Sequence, residues 1–439
     1  MPNLSNRPNI LFFFPDQLRF DWIGSNPDIA VRTPNLDRLE KNGATFSKTV
    51  CPAPVCAPSR ACVAAGTEYD NCPVKGNSDD YPTDRATVYS MLRDSGYHTL
   101  GCGKFDLNKG TCTSNLPAWG LDGKRHLNEW GFSDGINNEG KIDGANSGRE
   151  KPQGPYLQYL EERGLRQIHL NDFANRKGQR STFPTPLPDD AYCDNWIGQN
   201  GRDLIQSVPE GKPWFIQVNF NGPHLPLDIT ESMAKLYEGV DFPQPNRNDQ
   251  LTPDELLEAR RNYSAMVENI DHQVGLYLDL LEERGELDNT LIVFSSDHGE
   301  MLGDHNSWGK GKPLHPSASV PLVISGPGVQ QGITHDLPTT NLDLTATFLD
   351  YADLDIPDDM DSRSLRNLLE GTTSTHRDIV LSGLGNWRMA YDGHYKYIEG
   401  FGDTPMLFDL DTDPLENNNI IDDPVVSAHI ERLKAELIQ

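Results

Sequence analysis

Short runs of apolar residues recur along this chain, separated by stretches in which apolar residues return every three or four positions. The runs at 9–14, 98–102, 214–220, 291–295 and 321–325 read as strands buried on both faces. Positions 35–41, 87–94, 196–206, 253–282 and 342–351 carry the helical spacing. Their alternation predicts an α/β fold: a large, mostly parallel central sheet flanked by helices. From about 107 to 190 the periodicity fails, and Gly, Asn, Pro and isolated aromatics such as Trp119, Trp130 and Tyr156 take over. A patternless stretch of that length following a strand reads as an insertion that shapes a substrate site. After 369 the pattern changes to short strands with turns, at 387–391, 394–399 and 406–409, closed by a helix at about 425–438. The expected organisation is therefore a catalytic α/β domain over 1–369 and a small α+β subdomain over 370–439.

Composition narrows the function classes. With 38 Lys and Arg against 65 Asp and Glu, the formal charge is −27, which disfavours nucleic acid as a partner. An anionic substrate would have to be drawn in by a local group of cations. No apolar run reaches the ~18 residues of a membrane span. The run at 10–14 lacks the flanks of a signal peptide. The chain is expected to be cytoplasmic, or periplasmic or secreted with a signal preceding this numbering. Seven cysteines are an odd count for a chain too long to need a disulfide framework. Cys102 and Cys112 are a possible pair across a loop, and Cys56 is the cysteine with a candidate chemical role.

In a parallel sheet, ligands gather at the carboxyl ends of the strands. Four runs deliver polar residues there: Asp16 and Gln17; Lys104; Asn221 to His224; and Asp297, His298 and Glu300. Read singly, an Asp after a strand is a cap or turn former. Together, Asp16, Gln17, Asp297 and His298 form a plausible mononuclear metal set. The oxygens suit Ca²⁺ or Mg²⁺, while the imidazole tilts toward Mn²⁺. In Cys51-Pro-Ala-Pro-Val-Cys56-Ala-Pro58-Ser59-Arg60, Pro58 suits a first helical turn, placing Cys56 at a helix N-terminus where anions are favoured. Arg60, one turn on, can hold an oxyanion. A buried structural cysteine or a low-pKa thiol nucleophile fits this pattern too.

Cys56-x-Pro58-Ser59-Arg60 followed by Gly66 resembles the signature of the type I sulfatases, within the alkaline phosphatase superfamily. The likeness continues through Pro8-Asn9-Ile10-Leu11 to Asp16-Gln17, Thr33-Pro34-Asn35, Gly103-Lys104, Pro223-His224, Ser296-Asp297-His298-Gly299-Glu300, Trp308-Gly309-Lys310 and the tail around Tyr395-Lys396-Tyr397. Residues 107–190 are not covered by it. The resemblance implies an alkaline phosphatase-like fold and a Cys56 oxidised to formylglycine by a formylglycine-generating enzyme. It also implies one divalent metal, Ca²⁺ first, on Asp16, Gln17, Asp297, His298 and residue 56. The formylglycine would hydrate and attack sulfur, with Lys104, Lys310 and Arg60 offsetting charge and His224 and Lys310 serving the leaving oxygen.

Two departures stand out. Many relatives read Lys-x-His after the first active-site lysine, but here it is Lys104-Phe105-Asp106. Asp106 is a candidate base for sulfate release, with His315 and His126 as alternatives, or it simply bonds Lys104. Leu314-His315-Pro316 also replaces a Tyr-Glu of many relatives, altering the pocket wall. The expected activity is hydrolysis of a sulfate ester, with a sulfated sugar as the expected substrate, on which aromatic residues of the 107–190 insertion would stack while its basic residues hold it. Alternatives are a phosphonate or phosphate diester hydrolase and a non-catalytic sulfoglycan-binding protein.

Overall fold

The computed structural model describes residues 7–113, 118–178, 180–249 and 252–437, without the side chains of 112 and 113. Its centre is an eight-stranded sheet in the order β4-β3-β5-β1-β6-β7-β2-β8. The strands are β1 (Asn9–Phe13), β2 (Gly43–Val50), β3 (His98–Gly103), β4 (Asp134–Asn137), β5 (Trp214–Asn219), β6 (Thr290–Ser295), β7 (Leu322–Ser325) and β8 (Ile333–Thr340). Only β7 runs against the others. β1 is the axis, pairing in parallel with β5 on one side and β6 on the other. Residues Ile10 to Phe13 have no exposed surface, which is why β1 reads as an unbroken apolar run.

The longest helix, Pro253–Glu283, begins with a capping box in which Thr252 Oγ1 accepts from Glu255 N and the Glu255 carboxylate accepts from Thr252 N. It covers one face of the sheet, burying Tyr263, Met266, Ile270, Val274, Tyr277 and Leu281. Among the described residues no helix is long and apolar enough to cross a membrane.

A second sheet, β12-β11-β10-β9, is antiparallel throughout: β9 (Val380–Leu384), β10 (Trp387–Tyr391), β11 (Tyr395–Glu399) and β12 (Met406–Asp409). The Ser427–Glu436 helix packs on it through Leu433. This sheet leans on the segment leading to Cys56, where Gly383 N donates to Pro52 O at 3.1 Å.

The insertion differs from its patternless reading. It holds β4 and the helices Leu127–Trp130, Lys141–Ser147, Pro155–Glu162 and Arg166–Asn175. Leu127–Trp130 and Lys141–Ser147 make too few turns for a period to emerge, and Arg166–Asn175 turns the polar His169 and Asp172 inward, so no apolar stripe marks it. Trp119, Trp130 and Tyr156 are buried packing residues, so they are not the sugar-stacking aromatics the sequence suggested. Cys102 is a free, buried thiol that donates to Ile197 O, and the side chain of Cys112, its possible partner, lies outside the described residues.

Candidate active site

Because β1, β3, β5 and β6 are neighbours and parallel, their carboxyl ends meet. Asp16 follows β1, Lys104 follows β3, His224 follows β5, and Asp297 and His298 follow β6. Backbone bonds lock the junction: Asp16 N donates to Phe220 O, and Lys104 N donates to Asn219 O, both at 3.1 Å. The second bond needs Gly103, whose φ is 109° and whose added Cβ would lie 2.0 Å from Asn219 O. No other residue fits there.

Cys56 opens the Cys56–Ala65 helix at the end of the segment leaving β2. No local side chain caps this helix; instead Asn77 Oδ1, from a later loop, accepts from Ala57 N at 3.1 Å. Gly66 ends it in the left-handed conformation (φ 72°), and a Cβ there would meet the Met360 sulfur at 2.6 Å. Ser59 Oγ donates to Asp297 O at 2.6 Å and Arg60 Nε to Asp297 Oδ2 at 3.0 Å, pinning the helix to the end of β6.

The Cys56 sulfur lies 2.7 Å from Lys310 Nζ, 3.8 Å from Lys104 Nζ, 3.4 Å from His298 Nε2 and 3.6 Å from Asp16 Oδ1. Burial and Asp16 push its thiol up, but Lys104, Lys310 and His298 outweigh them and bring it to about 6. Burial likewise opposes ionisation of Asp16, yet Lys104, Lys310 and Arg60 hold it well below the usual carboxylate range. Asp297 is raised by burial, which Arg60 only partly offsets. His298 is raised because Asp297 outweighs its burial, and His224 is held neutral by burial and Lys310.

Ligand atoms of Asp16, Cys56, Asp297 and His298 lie within 4.8 Å of one another. Gln17, at φ 69°, gives its amide nitrogen to Glu300, which orients the side chain and leaves Oε1 buried without a partner among the described residues. His298 Nδ1 is 2.9 Å from Gly299 O, so the carbonyl takes the Nδ1–H and Nε2 is the nitrogen turned to the cluster. Two carboxylates, an imidazole nitrogen and an orphaned amide oxygen fit a divalent cation.

Above the cluster is a cavity of about 230 Å³, lined by Cys56, Lys104, His224 and Lys310 among others. Asn221, from the run the sequence placed past β5, also lines it, as do Asn77, Lys109 and Lys141, which sequence reasoning did not single out as site residues. Lys109 and Lys141 come from the patternless insertion, where no strand end marks them. Asp106 sits outside this lining, 3.1 Å from Lys104 Nζ and 3.3 Å from Lys109 Nζ. Burial opposes its charge, but the two ammonium groups hold it well below the usual carboxylate range. The alternative bases lie elsewhere: His315 packs on Phe20 and Tyr391 beside Lys396, and His126 pairs with Glu129.

Residues 8–354 match the sequence model of the sulfatase family. The chain belongs to that family. Residues 303–439 also match the C-terminal region of N-sulphoglucosamine sulphohydrolase, so that likeness begins inside the large sheet's territory. This sulfatase is 29% identical to an arylsulfatase of Clostridium perfringens over 99% of this chain and 94% of the relative. It is 25% identical to an N-acetylglucosamine-6-O-sulfatase of Bacteroides thetaiotaomicron over 95% and 83%. Its fold superposes on a phosphonate monoester hydrolase of Agrobacterium radiobacter with a TM-score of 0.82, at 24% identity, over 98% and 95% of the two chains. The alkaline phosphatase-like fold and the sulfuric ester hydrolase class expected from the sequence both hold.

Proposed function

We propose that this sulfatase hydrolyses the sulfate ester of a sulfated carbohydrate. It would use a formylglycine made from Cys56 by a formylglycine-generating enzyme. One divalent cation, Ca²⁺ by preference for the oxygen-rich set, would be held by Asp16, Gln17, Asp297, His298 and residue 56. The observation that carries this reading is the place of Cys56, at a helix start on the cavity floor and within 4.8 Å of Asp16, Asp297 and His298 ligand atoms. The sugar is supported by the kinship with an N-acetylglucosamine-6-O-sulfatase.

A cation in that nest would lower the pKa of a bound hydroxyl and polarise sulfuryl oxygens. The remaining work falls to this chain's side chains. Lys104, Lys310 and Arg60 offset negative charge on the ester from fixed positions, at no cost of reorganisation. Asp297, whose carboxylate lies within 4.8 Å of the residue 56 side chain, is placed to take a proton from it. Lys310 can give a proton to the leaving-group oxygen, and His224, its Nδ1 2.5 Å from Leu225 O, would hold the leaving group on the same cavity wall. Asp106, clamped between Lys104 and Lys109, is better suited to hold those two cations in place than to act as the release base.

The test pairs mass spectrometry with a substrate panel. The peptide containing Cys56 should have lost its thiol sulfur in active preparations, and activity should rise on co-expression with the converting enzyme. Full activity with an intact thiol would overturn the proposal. The cationic cavity recognises any tetrahedral anion, so a phosphate or phosphonate diester is the second reading. Faster turnover of those aryl esters than of the sulfate would favour it.

A further inference from the structure

A second hollow, of about 610 Å³, adjoins the Cys56 cavity. The two share Ile142 in their walls, and Leu225 of the first is followed directly by Pro226 of the second. Two faces line it. Ile142, Ala145, Asn146 and Arg149 recur at helical spacing along the Lys141–Ser147 helix and just past its end. Gln167, Leu170, Asn171 and Ala174 do the same on the Arg166–Asn175 helix. Helix faces that merely pack together are apolar. These interleave aliphatic groups with amides and leave space between them, as ligand sites do. Phe173, half-buried beside His169 with ring centroids 4.4 Å apart, supplies a flat apolar patch.

Charge points to the occupant. Arg176, also on the lining, is neutralised by both oxygens of Asp172. Arg149 is exposed, donates to Asn146 Oδ1 at 3.2 Å and forms no ion pair among the described residues. Of the two arginines on the lining, Arg149 is the one open to an anionic group on a ligand.

Resting on the carbohydrate-sulfate reading, we propose that this hollow is a second sugar subsite. It takes the ring adjoining the sulfated one, with Phe173 against the ring face, the amides on its hydroxyls, and Arg149 on an acidic substituent. A uronate carboxylate and a second sulfate offer Arg149 the same anionic chemistry.

Calorimetric titration tests this with three probes: N-acetylglucosamine 6-sulfate, a disaccharide joining that sugar to a uronate, and a disaccharide carrying two sulfates. At least one charged disaccharide should bind ~10-fold more tightly than the monosaccharide, the scale of one charge-assisted contact. Which one does so identifies the substituent. Arg149→Ala and, separately, Phe173→Ala should bring that ratio close to one, while Arg149→Lys should keep part of it. Disaccharides that bind no better than the monosaccharide, or an undiminished ratio in Arg149→Ala, would overturn the subsite. Turnover of p-nitrophenyl sulfate by converted enzyme is measured in parallel. Its absence would sink the sulfatase reading of the Cys56 cavity, whereas the titration answers the subsite question by itself.

Discussion

The floor and the wall of the Cys56 cavity are held in place differently. On the floor, Asp16, Asp297 and His298 have no exposed surface and ride on the ends of adjacent parallel strands. Their neighbours are fixed by backbone bonds: Gln17 N and His298 N both donate to Asp297 Oδ1 at 2.9 Å. On the wall, Lys109 reaches Asp106 and Asp143, and Lys141 reaches Asp228 at 2.5 Å, from short helices of the insertion. Nothing in the sheet dictates where those helices lie. The floor is thus suited to charge and proton transfer, and the wall to the shape of a particular substrate. Changes to the floor should therefore strike kcat, and changes to the wall should strike KM.

The sharpest test of this division is Cys56→Ala. It should lower kcat by roughly 10³-fold or more, as losing a covalent nucleophile does, with the fold intact by circular dichroism. Asp297→Asn should follow, costing about 10²-fold in kcat, since it weakens both the cation nest and the hold on Arg60. If either instead raised KM at constant kcat, the floor would not be the reacting side.

Chelation tests the floor as a cation nest by a route that does not depend on turnover. Elemental analysis should find about one divalent ion per chain, and its removal should lower the melting temperature as well as the rate, because bound metal stabilises the folded state. Ca²⁺ should restore both. A metal-free protein with unchanged melting and activity would break the assignment.

On the wall, Lys109→Ala should raise KM by ~10-fold with a smaller change in kcat, the scale of one charge-assisted hydrogen bond. Asp106→Asn sharpens the comparison, because Asp106 joins floor to wall through Lys104 and Lys109. As a positioning residue it should lower kcat/KM by ~10-fold without build-up of sulfated enzyme. Intact-mass detection of a covalently sulfated form after a burst of alcohol would return Asp106 to the role of release base.

The smallest effect on rate is expected at Gly66, where alanine meets both a left-handed φ and Met360. Gly66→Ala should cost ~1–3 kcal/mol of stability, read by denaturant unfolding. Activity should change little in the protein that remains folded.

Local patterning was enough to locate β1, β3, β5, β6 and β7, though not β2, β4 and β8, together with the long helix and the polar residues that follow β1, β3, β5 and β6. Buried parallel strands must be apolar throughout, and residues past their ends are released from that demand, so both leave a local mark. Cys56, Arg60 and the small residues after them carry such a mark as well. What only the tertiary structure decided is which distant groups meet. Asn77 caps the Cys56 helix from another loop, Glu300 turns the Gln17 amide, and Lys109 clamps Asp106 from the insertion. These partners are long-range and held by single side-chain contacts, which impose no periodicity on the chain around them. The insertion hid its helices because they are short or, as at His169 and Asp172, bury polar residues that break the apolar stripe. The sequence also overstated its aromatics, because Trp119, Trp130 and Tyr156 look the same on paper whether a ring faces a sugar or, as here, the core.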